Sequence, residues 1–465
     1  MDLGLEDLRR LKNAEIINSG IIERVKFSGV SIDSRKCKAG DLFFPIKGER
    51  FNGHDFVAEV IKKGCKCAVV NKNWFKRFRN KNNRSLKKTA FVLTDDTVKT
   101  LGEAANIYRR KFIIPFIAIG GSNGKTSAKD FIGYVLSKKY KVLKTEGNLN
   151  NELGVPLTLF KLNKSHEIAV IEVGMNHFGE IERLCRIVMP QFGLVTNIGK
   201  EHLEFVKSLH GAAKAEGELV EHLKEIYGMF FLNADDKYLS GMVEKDKLNM
   251  FSYATNAKAD VKGRVRKFKG FFPEVEIKYG SKIIRTVLNT IGYQSFQAAL
   301  SAAAVGFYFE VPAGVIKKAI SEYKLESSKR NQLINSKGVW IIDDTYNSNP
   351  DSVIAALENL NAYKVKGKKH IVLGDMLELG KQSKAEHRNI GQKAWKMNFE
   401  NLYTYGEDSY QTYLGAKRVR NNYHFLDKET LSEFLKVTLK KGDVVLVKGS
   451  RGMKMEEIIE SLSKN

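Results

Sequence analysis

Gly120-Gly121-Ser122-Asn123-Gly124-Lys125-Thr126-Ser127 stands between an apolar run and an amphipathic segment, and its reading decides the fold. Upstream, Phe112 to Ile119 is apolar almost throughout and of strand length, the pattern of a strand covered on both faces. Downstream, Ala128, Phe131, Ile132, Val135 and Leu136 recur at helical spacing, so the turn opens into a helix N-terminus. Glycines in such a turn let backbone N–H groups face phosphate oxygens. Lys125 adds a point charge for the terminal phosphates, and the Thr126 hydroxyl can ligate magnesium. The general phosphate-loop pattern has a glycine five residues before Gly124, where this chain has Ile119, so the loop is one residue short.

Working outward, the strand-like runs Ile168 to Ile171 and Gly193 to Ile198 end at Glu172-Val173-Gly174 and Gly199-Lys200-Glu201-His202. Ligands collect at the carboxyl ends of parallel strands, so Lys125, Glu172 and His202 can converge on one crevice. Taken singly, Glu172 and His202 read as ordinary polar residues at strand ends, and their shared placement after strands makes a metal site an equal reading. From Lys258 to Leu288 short alternating segments predict a β-rich insertion at a sheet edge, and Ala298 to Val305 a small-residue helix. Near residue 326 a further α/β unit begins: Val339 to Ile342 as a strand, then Asp343 to Ser348 as a loop. Asn349-Pro350 caps a helix there.

Before residue 110 lies a smaller α/β unit, with Val30-Ser31-Ile32-Asp33-Ser34-Arg35, the strand Asp41 to Ile46, and a glycine- and charge-rich loop containing Gly53-His54-Asp55-Phe56. That loop reads equally as a connector or a binding loop. Between strands at 67–70 and 91–93, residues 71–88 carry eight Lys or Arg, no acid, and Trp74, Phe75 and Phe78. With the net charge of +24 this is the best nucleic-acid or membrane candidate in the chain. No recognisable nucleic-acid motif accompanies it, and the expectation is a solvated surface insertion.

A chain of 465 residues exceeds one core. The boundaries read as 1–110, 111–325 and 326–465. No apolar run reaches membrane-spanning length, Met1 to Arg10 shows no secretory signal, and a cytoplasmic location is expected. Cys37, Cys65, Cys67 and Cys185 lack metal-site or disulfide spacing.

These motifs resemble the Mur ligase family over nearly the whole chain. The shortened loop Gly120 to Ser127, the block Thr145 to Pro156 with Asn148-Leu149-Asn150-Asn151, Ile171 to Asn176, Asn197 to His202 and Ala212-Ala213-Lys214 resemble its central domain. Asp343 to Ser352, Gly374 to Gly380 and Lys448-Gly449-Ser450-Arg451 resemble the last domain of the member that adds D-alanyl-D-alanine. The sister that adds the third amino acid carries an Asp-Asn-Pro-Arg signature missing here.

The resemblance implies an α/β fold of three domains: an N-terminal UDP-sugar domain, a central phosphate-loop ATPase domain with a parallel sheet, and a Rossmann-like C-terminal domain. It implies an ATP- and Mg2+-dependent ligase, a cytoplasmic monomer, acting on UDP-N-acetylmuramoyl-tripeptide and D-Ala-D-Ala in peptidoglycan precursor synthesis. The alternatives are the sister ligase and a basic nucleic-acid-binding NTPase. Ser31, Asp33, Ser34 and Arg35 would meet the UDP group. Asn148, Asn150, Asn151, Asn347 and Asn349 would meet substrate. Gly120, Gly121, Ser122, Asn123, Gly124, Lys125, Thr126, Ser127, Arg330 and Asp344 would hold the nucleotide. Thr126, Glu172, His202 and a carbamylated Lys214 would hold metal, with Lys125, Glu172, His202 and Lys214 catalytic. One departure stands out: the family's adenine-facing asparagines are replaced within Gly292-Tyr293-Gln294-Ser295-Phe296-Gln297, where Gln294 or Gln297 can substitute.

Overall fold

The computed structural model describes residues 1–463 except 50, 81–87, 244–247 and 325–331. Three sheets lie along the chain. The first has the strand order Glu15–Ile17, Ala90–Thr94, Cys67–Asn71, Leu42–Phe43, Val30–Ser31, parallel except for the Glu15–Ile17 edge. The second has nine strands. Its parallel part runs Val142–Lys144, Ile168–Glu172, Phe116–Gly120, Phe192–Val195, Met229–Asn233, Asn249–Ala254 and Val261–Lys269. Phe272–Tyr279 and Lys282–Val287 then add an antiparallel edge, the β-rich insertion expected from the alternation.

Why Phe116–Gly120 sits centrally follows from its composition. Every residue is buried, and apolar helices cover both faces. On one face the helix Lys125–Leu136 presents Ala128, Phe131, Ile132 and Val135 to the Ala-rich helix Gly292–Tyr308. Small side chains on the latter let the two helices approach closely; a Cβ on Gly306 would fall 2.8 Å from Val135. The strand begins later than its sequence suggests. Residues 112–115 are irregular and Ile113 is fully exposed, because Pro115 has no N–H to contribute to a central strand.

The third sheet runs Gln332–Ser336, Val339–Asp344, Val444–Lys448, Lys369–Gly374, Asn401–Tyr405, Asn421–Phe425, parallel except for its first strand. Asn349 and Pro350 open the helix Pro350–Ala362 as expected. The Asn349 side chain accepts from Ser352 N at 2.8 Å, and Ser352 Oγ accepts from Asn349 N at 3.0 Å.

The surface-insertion expectation for 71–88 is corrected by the structure. Residues 81–87 lie outside the described set, but Lys72–Arg79 is a helix capped by Asn71, whose Oδ1 accepts from Asn73 N and Trp74 N. Phe75 and Phe78 are buried against Phe91 of the first sheet, and Trp74 stacks on Phe78 at 4.5 Å. The aromatics serve the core, while Lys76, Arg77 and Arg79 face outward with Asn73 and Asn80.

His54, in the ambiguous loop, is also structural. It is buried, its Nδ1 lies 3.0 Å from Asn52 Oδ1, and its Nε2 accepts the Asn71 N–H at 3.0 Å. Burial lowers its pKa below the ordinary histidine value of 6.5, against a smaller opposing pull from Asp55. The unfolded chain therefore takes up this proton first, and stability falls as pH drops through about 6.5 toward the folded value. The melting temperature of wild type should decline between pH 7.5 and 5.5. A His54→Gln variant should start lower and lose less; equal losses would remove His54 from the acid sensitivity.

Candidate active site

A cleft of about 710 Å³ opens at the carboxyl ends of the central strands, with its floor from the second sheet's domain and a wall from the third's. The loop Gly121 to Gly124 forms the floor. Gly121 has φ +117°, and a Cβ there would lie 2.2 Å from Thr196 Oγ1, so only glycine fits. Gly124, at φ +80°, turns the chain into the helix, whose first-turn N–H groups have no intrahelical acceptor and face the cleft. Ser122 N and Asn123 N donate to Asn197 O and Asn197 Oδ1, fixing the loop's shape.

Lys125 is folded back onto this loop. Its Nζ donates to Gly121 O and, at 3.4 Å each, approaches Ser122 O and Glu201 Oε2. Burial pushes its pKa down, but the Glu201, Glu216 and Glu172 carboxylates outweigh burial and hold it above the usual lysine value. Thr126 Oγ1 and Asn150 Nδ2 both donate to Glu172 Oε1, at 3.0 and 2.9 Å. Beneath them the buried Lys129 lies 3.6 Å from Glu172 Oε2.

Of the residues expected at the nucleotide and substrate, Ser122 to Ser127, Asn148, Asn150, Asn151, Glu172, His202, Asp344, Asn347 and Asn349 line this cleft. Gly120 ends its strand just behind, and Asn151 also caps the helix Gly154–Leu159 through Gly154 N. Asp344 is raised by burial, against the Lys448 ammonium 2.9 Å away, and Lys448 Nζ also donates to Asn347 O. Arg330 lies outside the described residues.

Ser31, Asp33, Ser34 and Arg35 lie away from the cleft, in the first domain. Arg35 grips Asp33 with two N–H donors at 2.9 Å, holding that carboxyl down at about 2. Lys214 departs from expectation. It does not line the cleft: its side chain is exposed, with Nζ 5.9 Å from the Phe178 ring centre. Two residues on a helix are about 200° apart, so Glu216 takes the inward position.

Three contributors escaped the sequence reading. Glu201 and Lys448 sit in quoted motifs without a role, and Glu216 sits unremarked beside Lys214. Its signal was an acid in the apolar stripe Ala212, Ala215, Leu219, Val220 and Leu223.

The donor set can be tested against magnesium. Thr126 Oγ1 and the carboxylates of Glu172 and Glu201 are hard oxygen donors, and Glu172 Oε2 and Glu201 Oε1 are buried without hydrogen-bond partners. Among the described residues no three His, Cys, Asp or Glu side chains form a closed metal cage. Both facts fit an ion held by one or two carboxylates and completed by phosphate oxygens and water. His202 Nδ1 lies 2.7 Å from Glu378 Oε2 of the third domain, which leaves its Nε2, 4.0 Å from Glu201 Oε2, as the ring nitrogen that would meet an ion.

Polar contacts join floor and wall. Asn349 Nδ2 donates to Asn123 Oδ1 at 2.9 Å, Lys200 N to Asp351 Oδ2 at 2.7 Å, and Lys200 Nζ to Glu386 Oε1 at 2.6 Å.

Three family models match in succession: the Mur ligase catalytic domain over 26–109, the Mur ligase middle domain over 119–306, and the Mur ligase glutamate ligase domain over 329–451. The UDP-N-acetylmuramoyl-tripeptide--D-alanyl-D-alanine ligase of Bacillus subtilis (strain 168) is 33% identical, over 98% of each chain. The chain belongs to the Mur ligase family. The Escherichia coli (strain K12) ligase of the same name is 31% identical over 99% of this chain and 98% of its own. Among solved Mur ligases, MurF from Acinetobacter baumannii superposes with a TM-score of 0.89 at 27% identity, covering 100% of this chain and 99% of that one. MurF ligase from Thermotoga maritima in complex with ADP gives 0.80 at 26%, covering 94% and 97%. The three-domain α/β architecture is thus that of the Mur ligases, and no described helix is long and apolar enough to cross a membrane.

Proposed function

We infer that this chain is an ATP-dependent ligase that joins D-alanyl-D-alanine to UDP-N-acetylmuramoyl-tripeptide through an acyl phosphate, acting as a cytoplasmic monomer in peptidoglycan precursor synthesis. The observation that carries the reading is Lys125 at the floor of a cleft whose opposite wall comes from another domain. The full-length relatives named for this reaction support the substrates. The helix Lys72–Arg79 argues against the nucleic-acid alternative, because its aromatic side chains are committed to the core.

A carboxylate is a poor electrophile, so its oxygen must first attack the γ-phosphorus of ATP and release ADP. A bound magnesium supplies charge neutralisation on the transferring phosphoryl group. Lys125 has a flexible stem and three donors, so it can leave the Gly121 carbonyl for phosphate oxygens. The amine then attacks the acyl carbonyl and phosphate departs. Water would destroy the acyl phosphate, so the wall carrying Asn347, Asn349 and Asp344 must close on the floor during the reaction.

The direct test is phosphate release from ATP with UDP-N-acetylmuramoyl-tripeptide, with and without D-Ala-D-Ala. Release that ignores the dipeptide, or that requires a single amino acid instead, sinks this assignment.

Base selection is expected to be weak. Gln294 Oε1 accepts from Asn359 Nδ2 of the third domain, so Gln294 is engaged between domains and Gln297 with Tyr293 remains to face a base. With few base-directed groups, preference for ATP over GTP in kcat/KM should be about 100-fold or less, and Gln297→Ala should narrow it. A preference of many thousandfold would show that another residue reads adenine.

A further inference from the structure

The helix Gly292–Tyr308 begins at the cleft without a cap of its own: Ile291 stands at its N-cap and makes no side-chain hydrogen bond. The missing acceptor comes from another domain. Asn359, near the end of the helix Pro350–Ala362, accepts the Tyr293 N–H with Oδ1 at 2.8 Å, the bond that an N-cap side chain ordinarily makes to the second helical residue. A backbone N–H only donates, so this bond fixes which way the Asn359 amide faces, and Nδ2 then donates to Gln294 Oε1. Gly292 permits the approach. It has φ +83°, and a Cβ there would fall 3.0 Å from Asn359 Nδ2.

The same third-domain helix reaches the phosphate loop with its other end, where Asn349 Nδ2 donates to Asn123 Oδ1 at 2.9 Å. Asn349 and Asn359 are about 15 Å apart along its axis. Between them Ser352 and Ala355 line the cleft, and Tyr293 and Gln297, one turn apart on the capped helix, line it at the Asn359 end.

We propose that Asn359 is a positioning residue for the nucleotide base: by capping a helix of the neighbouring domain it sets the turn that carries Tyr293 and Gln297. The base-facing part of the cleft then takes its form only while the two domains are docked. This rests on the nucleotide reading of the cleft. Asn359 does not itself line the cleft and acts through Tyr293 and Gln294.

The test is calorimetric titration of the full chain with ADP and with inorganic triphosphate, which has no base, both with Mg2+ present. Asn359→Ala keeps a good helix former at this position while removing the cap. Its ADP Kd should rise about tenfold while its triphosphate Kd stays at the wild-type value. General loosening of the domains would weaken both ligands, because the phosphate loop also meets the third domain. Asn359→Asp retains an acceptor for the Tyr293 N–H and should recover most of the ADP affinity. Asn359→Ala combined with Gln297→Ala should weaken ADP less than the product of the two single effects. An unchanged ADP Kd in Asn359→Ala, equal weakening of ADP and triphosphate, strictly multiplicative effects, or an Asn359→Asp variant as weak as Asn359→Ala overturns the proposal. If Asn359→Ala does not fold, Asn359→Leu, apolar and of similar volume, gives the same readout. Wild type that binds neither ligand would overturn the nucleotide reading itself.

Discussion

Replacing Lys125 by alanine is expected to lower kcat/KM by about 10³-fold or more while the chain still melts cooperatively. The estimate is of the size seen when one preorganised group that stabilises developing charge is removed. Lys125 is the only ammonium among the residues drawn from the phosphate loop and its helix start that line the cleft, and three carboxylates are arranged about it. Its loss also leaves Glu172, Glu201 and Glu216 without their shared cation, so a lower melting temperature is expected alongside the kinetic defect. Lys125→Arg should recover the melting temperature but little turnover, because a rigid planar fork cannot follow the path of a compact ammonium. Activity of Lys125→Ala within tenfold of wild type would remove the charge argument.

The second large effect is on stability. Phe75→Ala should cost about 3–5 kcal/mol, the range for truncating a buried phenylalanine, read from the shift of a urea unfolding midpoint. Phe75 is buried against Phe91 at 5.0 Å between ring centres, in the same cluster as Val57, Val70 and Phe78. Exchanging residues 71–88 for a Gly/Ser linker should unfold the first domain and abolish turnover, since it removes three aromatics from that cluster and the Asn71 side chain that caps their helix. Full retention of activity by such a linker variant would restore the view of this segment as surface decoration.

The two cases show what the sequence could and could not carry. The strand, loop and helix around Lys125 were legible because each has its own period and the glycines punctuate between them. Residues 71–88 misled because eight cations mask an apolar pair, Phe75 and Phe78, at helical spacing; charge count says nothing about which face is buried. Lys214 was misplaced for a geometric reason: a motif fixes a neighbourhood in sequence, but two positions along a helix exchange inside for outside. The run from Phe112 becomes a strand only after Pro115, whose missing N–H is itself a signal in the sequence. The contacts that assemble the cleft were illegible in principle. Asn123 meets Asn349 across 226 residues, and Lys200 meets Glu386 across 186.

Because the two walls of the cleft come from separate domains, joined by polar contacts and by Phe268 and Phe271 packed on Tyr363, the site is complete only while the domains stay together. An antagonist therefore has no need to imitate nucleotide, peptide or sugar. A rigid wedge seated between Lys200 and Glu386, outside the cleft lining, would act as a doorstop, silencing the enzyme by keeping its halves ajar, and rising ATP concentrations would not directly compete for that place.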